Sequence, residues 1–162
     1  MNDRHWPGRN LAASGCMKRI LIADDSERMR RIIRQVVSGF ASEVYEARDG
    51  REAVALYTFE RPDWVLMDLR MKPVDGLLAT AEIKARFPEA RIIIVSQHDD
   101  PALQAEATRL GACAYVLKEN LHELPKIITG IGTETLSSRS PLDYQRPSSA
   151  GPENNLPRKA SP

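Results

Sequence analysis

Ile20-Leu-Ile-Ala-Asp-Asp-Ser26 is the stretch that decides the fold. Four apolar residues in a row leave no position turned toward water. That is the pattern of a strand buried on both faces, as in a parallel sheet covered by helices on each side. The run stops abruptly at two carboxylates and a hydroxyl. Ser26 is placed to cap a helix in which Met29, Ile32, Ile33, Val36 and Val37 recur at i, i+3, i+4, i+7 and i+8.

The chain repeats this unit of strand, polar turn and amphipathic helix five times. The strand-like runs are Arg19–Ala23, Glu43–Ala47, Asp63–Met67, Arg91–Val95 and Ala112–Leu117. The first, third and fourth are apolar on both faces. Between them fall helical stripes: Ala53, Leu56 and Tyr57; Leu77, Leu78 and Ala81; Ala102, Ala105 and Leu110; Leu124, Ile127, Ile128 and Ile131. Asn120 and Glu123 have the spacing of a capping box, but Pro125 would then lie too deep, so the last helix is expected to start near Leu124. Strand and helix in alternation imply right-handed crossovers and a doubly wound α/β sheet. In such a sheet the ligand crevice lies at the carboxyl ends of the strands.

Composition bounds the function. The 162 residues are 42% hydrophobic and 28% charged, which fits one globular domain with room for a tail. Lys and Arg number 23 against 22 Asp and Glu, so no overall field favours nucleic acid or an anionic membrane. Direct nucleic-acid binding is therefore not expected. Two distant cysteines exclude a disulfide scaffold, and His5, His98 and His122 have no metal-ligand spacing. No apolar run approaches the roughly 20 residues of a membrane span, and the first residues lack a secretory pattern, so the expected address is the cytoplasm. Residues 1–16 read as a disordered leader, with Met17 as a second candidate start. Residues 17–132 read as the domain, and 133–162, rich in Ser and Pro, as a disordered tail.

The chemistry lies at the strand ends. The first strand runs into Asp24 and Asp25, the third into Asp68, the fourth into Ser96 and the fifth into Lys118. In a parallel sheet these converge on one edge. Three carboxylates about 5 Å apart repel by about 3 kcal/mol per pair at an effective dielectric near 20, so they call for protons, Lys118 or a cation. An all-oxygen set suits Mg²⁺. A metal, a lysine and a hydroxyl around a carboxylate make a site that receives a phosphoryl group. Asp68 would be the nucleophile, Lys118 would spread charge, and Ser96 would donate to a phosphate oxygen. Singly, each residue is most simply a cap, a turn residue or a solvated charge. Their recurrence at successive strand ends carries the signal.

At these residues the sequence resembles the receiver domain of two-component response regulators. The resembling stretches are Ile20–Ser26, Val65–Met71, Asp75-Gly76, Ile93–Ser96 and Tyr115–Lys118. The resemblance implies a flavodoxin-like, five-stranded parallel sheet in the order 2-1-3-4-5 with five helices. It implies that Asp68 takes a phosphoryl group from a phosphohistidine of a histidine kinase or phosphotransfer protein. It further implies that Asp25, Asp68 and the backbone carbonyl of Arg70 ligate Mg²⁺, with Asp24 acting through water, and that Ser96 and Tyr115 form a switch pair. Output would pass to an unknown downstream protein. The Lys118-Glu119 pair is closest to receivers of helix-turn-helix DNA-binding regulators. Pro73 stands one residue later than the family's usual Met-Pro.

An aspartyl phosphatase of the haloacid dehalogenase type is the competing enzyme class, but it needs an acid two residues after the nucleophile, where Arg70 stands. A truncated DNA-binding response regulator would read the same way. Arg70 and His98 flank the approach of a water to the acceptor, either as plain loop residues or as brakes on autodephosphorylation. Arg28, Arg30, Arg31 and Arg34 read as the solvated face of the first helix, or as a kinase-docking face. Cys113 reads as a buried strand residue, and Trp64 and Tyr57 as core.

Overall fold

The computed structural model describes residues 17–130. The expectations about the leader, the tail and Ile131 lie outside these residues. The elements are β1 (Lys18–Ala23), α1 (Glu27–Val37), β2 (Ala41–Ala47), α2 (Gly50–Glu60), β3 (Trp64–Asp68), α3 (Gly76–Arg86), β4 (Ile92–Ser96), α4 (Pro101–Arg109), β5 (Ala114–Leu117) and α5 (Leu124–Thr129). A 3-10 segment, Lys118–Glu123, joins β5 to α5. The five strands form one parallel sheet in the order β2-β1-β3-β4-β5. This is the doubly wound, flavodoxin-like receiver architecture.

The apolar runs are unbroken because each strand feeds two cores. Leu21, Val65, Met67, Ile92 and Ile94 pack on one side with Ala53 and Tyr57 of α2, Ala79 and Ile83 of α3, and Ala107 of α4. Ile20, Ile22, Leu66, Ile93 and Val95 pack on the other with Ile33 and Val37 of α1 and Leu124 and Ile128 of α5. Each fully buried aliphatic side chain contributes about 1.5–3 kcal/mol, so a polar residue at any of these strand positions would be costly on either face.

Short acids and a serine start the helices. Ser26 Oγ accepts from Met29 N–H at 3.3 Å, Asp49 from Glu52 at 2.9 Å, Asp75 from Leu78 at 2.9 Å and Asp100 from Ala102 at 2.8 Å. The last helix begins at Leu124 with Pro125 in its first turn, as its sequence predicts. The Asn120–Glu123 box does not form. Asn120 instead sits at a kink (φ −110°, ψ 28°), and α5 has no side-chain cap.

Other expectations are corrected. Ile32 and Leu78 are exposed, because the flanks of a stripe lie at the rim of the helix–sheet contact. In α4 the inward residues are Leu103 and Ala107, four apart, while Ala102 and Ala105 face solvent. Cys113 is exposed and precedes β5, which starts only at Ala114. Arg30 is buried. It shares the inward face of α1 with Ile33 and Val37, three and seven residues later.

Candidate functional site

Parallel strands bring their carboxyl ends to one rim, and the register aligns the polar residues there. Ala23 pairs with Met67, Asp68 with Val95, and Ser96 with Leu117, so Asp24, Asp68, Ser96 and Lys118 follow one another across four strands. Asp24, Asp25 and Asp68 each offer a carboxylate oxygen, and these oxygens all lie within 4.8 Å of one another. Asp24 and Ser96 are fully buried and Asp68 is nearly so, whereas Asp25 is exposed.

Lys118 bridges the acids. Its Nζ lies 2.7 Å from Asp24 Oδ2 and 3.2 Å from Asp68 Oδ1. Burial alone would push this ammonium down, but the two carboxylates outweigh it and its pKa is raised, so Lys118 carries a fixed positive charge. Asp68 is also raised. Burial is the main cause and the Asp24 charge adds to it, against the opposing pull of Lys118 and a hydrogen bond from the Arg70 backbone. The ionised pocket therefore carries more negative charge than its single ammonium cancels.

This sets a pH dependence. Because the folded pKa of Asp68 lies above its unfolded value, its stabilising contribution is complete below the unfolded value, near 4, and is lost as pH rises through the folded one. Asp68→Asn abolishes that titration. Denaturant titrations should find the variant more stable than the parent at pH 7, with the advantage shrinking toward pH 4.

The donor set fits a hard divalent cation. It is all oxygen, anionic and compact, and among the described residues the buried Asp24 Oδ2 has no hydrogen-bond partner beyond its ion pair with Lys118. The arrangement can hold such a cation next to the Asp68 carboxylate.

Ser96 and Tyr115 meet at the backbone of His98. Ser96 Oγ accepts from the His98 N–H at 3.0 Å, and the half-buried Tyr115 donates its hydroxyl to the His98 carbonyl at 2.6 Å. Arg70, two residues after Asp68, and His98, two after Ser96, are exposed. The Lys118-Glu119 peptide is trans, whereas the shifted proline gives a cis Lys72-Pro73 bond.

Two residues support the site's frame in ways that their sequence context does not disclose. Gly76, at the start of α3, donates its N–H to Leu69 O at 3.0 Å, and a Cβ built on it would lie 1.9 Å from the Asp68 carbonyl oxygen. Arg30 is the other. Its Nη1 donates to the Asp24 carbonyl at 2.8 Å and its Nε to Glu46 at 3.0 Å.

Sheet order and acidic rim together define a doubly wound α/β fold with a candidate cation site at the carboxyl edge of its sheet. The model of the response regulator receiver domain matches residues 20–129, and the chain belongs to that family. It is 38% identical over 102 residues to the chemotaxis protein CheY of Thermotoga maritima, covering 62% of this chain and 85% of that protein. It is 34% identical over 113 residues to the regulatory protein AtoC of Escherichia coli, covering 69% of this chain but only 24% of AtoC. Among solved structures, the signal receiver domain of the putative response regulator NarL from Mycobacterium tuberculosis superposes with a TM-score of 0.65 at 27% identity. That match covers 71% of this chain and 98% of that one. Receiver domains are signalling domains of two-component systems. Among the described residues, no helix is long and apolar enough to cross a membrane.

Proposed function

We propose that Asp68 is the phosphoacceptor of a two-component phosphorelay. Its carboxylate attacks the phosphorus of a phosphohistidine on a histidine kinase or phosphotransfer protein. The new O–P bond forms as the P–N bond breaks, and the histidine ring leaves. The single observation that carries this reading is the buried ammonium of Lys118 held between Asp24 and Asp68. It stands where negative charge shifts as the phosphoryl group arrives, and it needs no reorganisation to meet it.

Mg²⁺ would be held by Asp25, Asp68 and the Arg70 backbone carbonyl, with Asp24 reaching it through water, and it supplies charge neutralisation between acceptor and phosphoryl group. Ser96 donates its hydroxyl to a phosphoryl oxygen. Its Oγ accepts from the His98 N–H while its hydrogen is free to donate, and a shift of Ser96 toward the phosphoryl group would be passed through His98 to Tyr115. The altered surface around β5 is then read by a downstream protein. A cytoplasmic address goes with such a donor, and the protein turns over no external substrate.

Intact mass spectrometry after incubation with Mg²⁺ and acetyl phosphate tests the reading. One phosphoryl group should be gained by the parent and none by Asp68→Asn. Gain of the group by the variant, or multiple turnovers of phosphate release from unrelated esters, would refute it.

A further inference from the structure

We infer that Arg30 is a positioning residue for the acidic pair Asp24–Asp25, setting the direction from which Asp25 meets a bound cation. This rests on the reading of the rim as a Mg²⁺-dependent phosphoacceptor site. Asp25 is exposed, and among the described residues its side chain has no hydrogen-bond or ion-pair partner. Its carboxylate can be aimed only by its backbone.

That backbone is clamped from β2 at both ends of Asp24. The Asp24 N–H donates to the Ala47 carbonyl at 3.1 Å. The Asp24 carbonyl, which belongs to the Asp24–Asp25 peptide, accepts from Arg30 Nη1 at 2.8 Å. Arg30 is itself held by Glu46, the residue next to Ala47, through Nε at 3.0 Å. Glu46 is fixed in turn by Arg34, whose Nε and Nη2 reach its second oxygen at 2.8 and 2.6 Å. Ser26 closes the turn, donating its N–H to Asp24 Oδ1 at 2.9 Å.

The Arg30 fork meets the Asp24 carbonyl and the Glu46 carboxylate through two separate nitrogens held in one plane, Nη1 and Nε. A lysine keeps the charge and the apolar stem but offers a single nitrogen. The Asp24–Asp25 peptide would then be free to rotate, and the preorganisation of Asp25 is lost. Groups that orient a metal's ligands typically change affinity by about 10–100-fold when removed.

The experiment compares the parent with Arg30→Lys, Glu46→Gln and Arg34→Gln. Mg²⁺ affinity is measured by calorimetry, and the Ser26 amide exchange rate is measured by NMR in Mg²⁺-free protein. Arg30→Lys should raise the Mg²⁺ dissociation constant about 10-fold and speed Ser26 exchange by a similar factor, with exchange in β3 unchanged. Glu46→Gln should move both in the same direction by less. Arg34→Gln loosens Glu46 at one remove from Asp24, so it should move both in the same direction by less than Glu46→Gln does.

Arg30→Lys binding Mg²⁺ like the parent would overturn the inference. Should that variant not fold, a folded Glu46→Gln with both readouts unmoved would do the same. If the parent itself binds no Mg²⁺, the phosphoacceptor reading fails, and Ser26 exchange alone then decides the role of Arg30.

Discussion

Lys118→Met is expected to destabilise the protein by about 3–5 kcal/mol at neutral pH, the range for breaking a buried ion pair by removing one partner. The ammonium is the only cation paired with Asp24 and Asp68 among the described residues, and both acids are buried. Without it they are left as uncompensated charges in a poorly solvated site. Urea titrations at several pH values check this. The deficit should shrink on acidification, because Asp68, already raised, takes up a proton more readily when Lys118 no longer opposes it. Adding Asp68→Asn to Lys118→Met should restore part of the loss at pH 7. A deficit constant with pH would place the cost in lost packing of the lysine stem.

Gly76→Ala is expected to cost about 3 kcal/mol, the upper end for overpacking, because the obstruction cannot turn aside. The added methyl would lie 1.9 Å from the Asp68 carbonyl oxygen, 2.9 Å from its carbonyl carbon and 3.0 Å from Met67 Cγ. A flexible side chain could move away, but the backbone of a central strand cannot. The damage reaches Asp68 itself, the proposed acceptor, so the variant should also lose its response to beryllofluoride with Mg²⁺ where it remains folded. Thermal unfolding with and without that phosphoryl mimic measures both effects.

The strands and the rim residues were legible in the sequence because their signal is local. An all-apolar run ending in a polar residue marks both a covered strand and the residue at its mouth, as at Ile20–Asp25 and Val65–Asp68. Helix faces were harder to read. In α4 the contact is made by Leu103 and Ala107, and alanines on the wet side imitate the stripe. Cys113 imitates a buried strand residue because its N–H already donates to the Ile92 carbonyl at 2.7 Å, yet it stands exposed just ahead of β5. Arg30 shows the limit most clearly. An arginine among arginines reads as surface, and its burial depends on a glutamate sixteen residues later, on a neighbouring strand. The helical spacing to Ile33 and Val37 was available as a clue, but spacing cannot reveal a partner.

Strand β3, which ends at Asp68, is hemmed in on both sides, by β1 and β4, and buried along its whole length. β5 has a neighbour on one side only, is four residues long and is half open to solvent. Stiffness is therefore unevenly shared between the strand that ends at Asp68 and the strand that carries Tyr115. Under the proposed phosphorylation of Asp68, a strain applied at the hub of the molecule would relax where the material is most compliant, at the margin, and the event would be exported to a place another protein can touch.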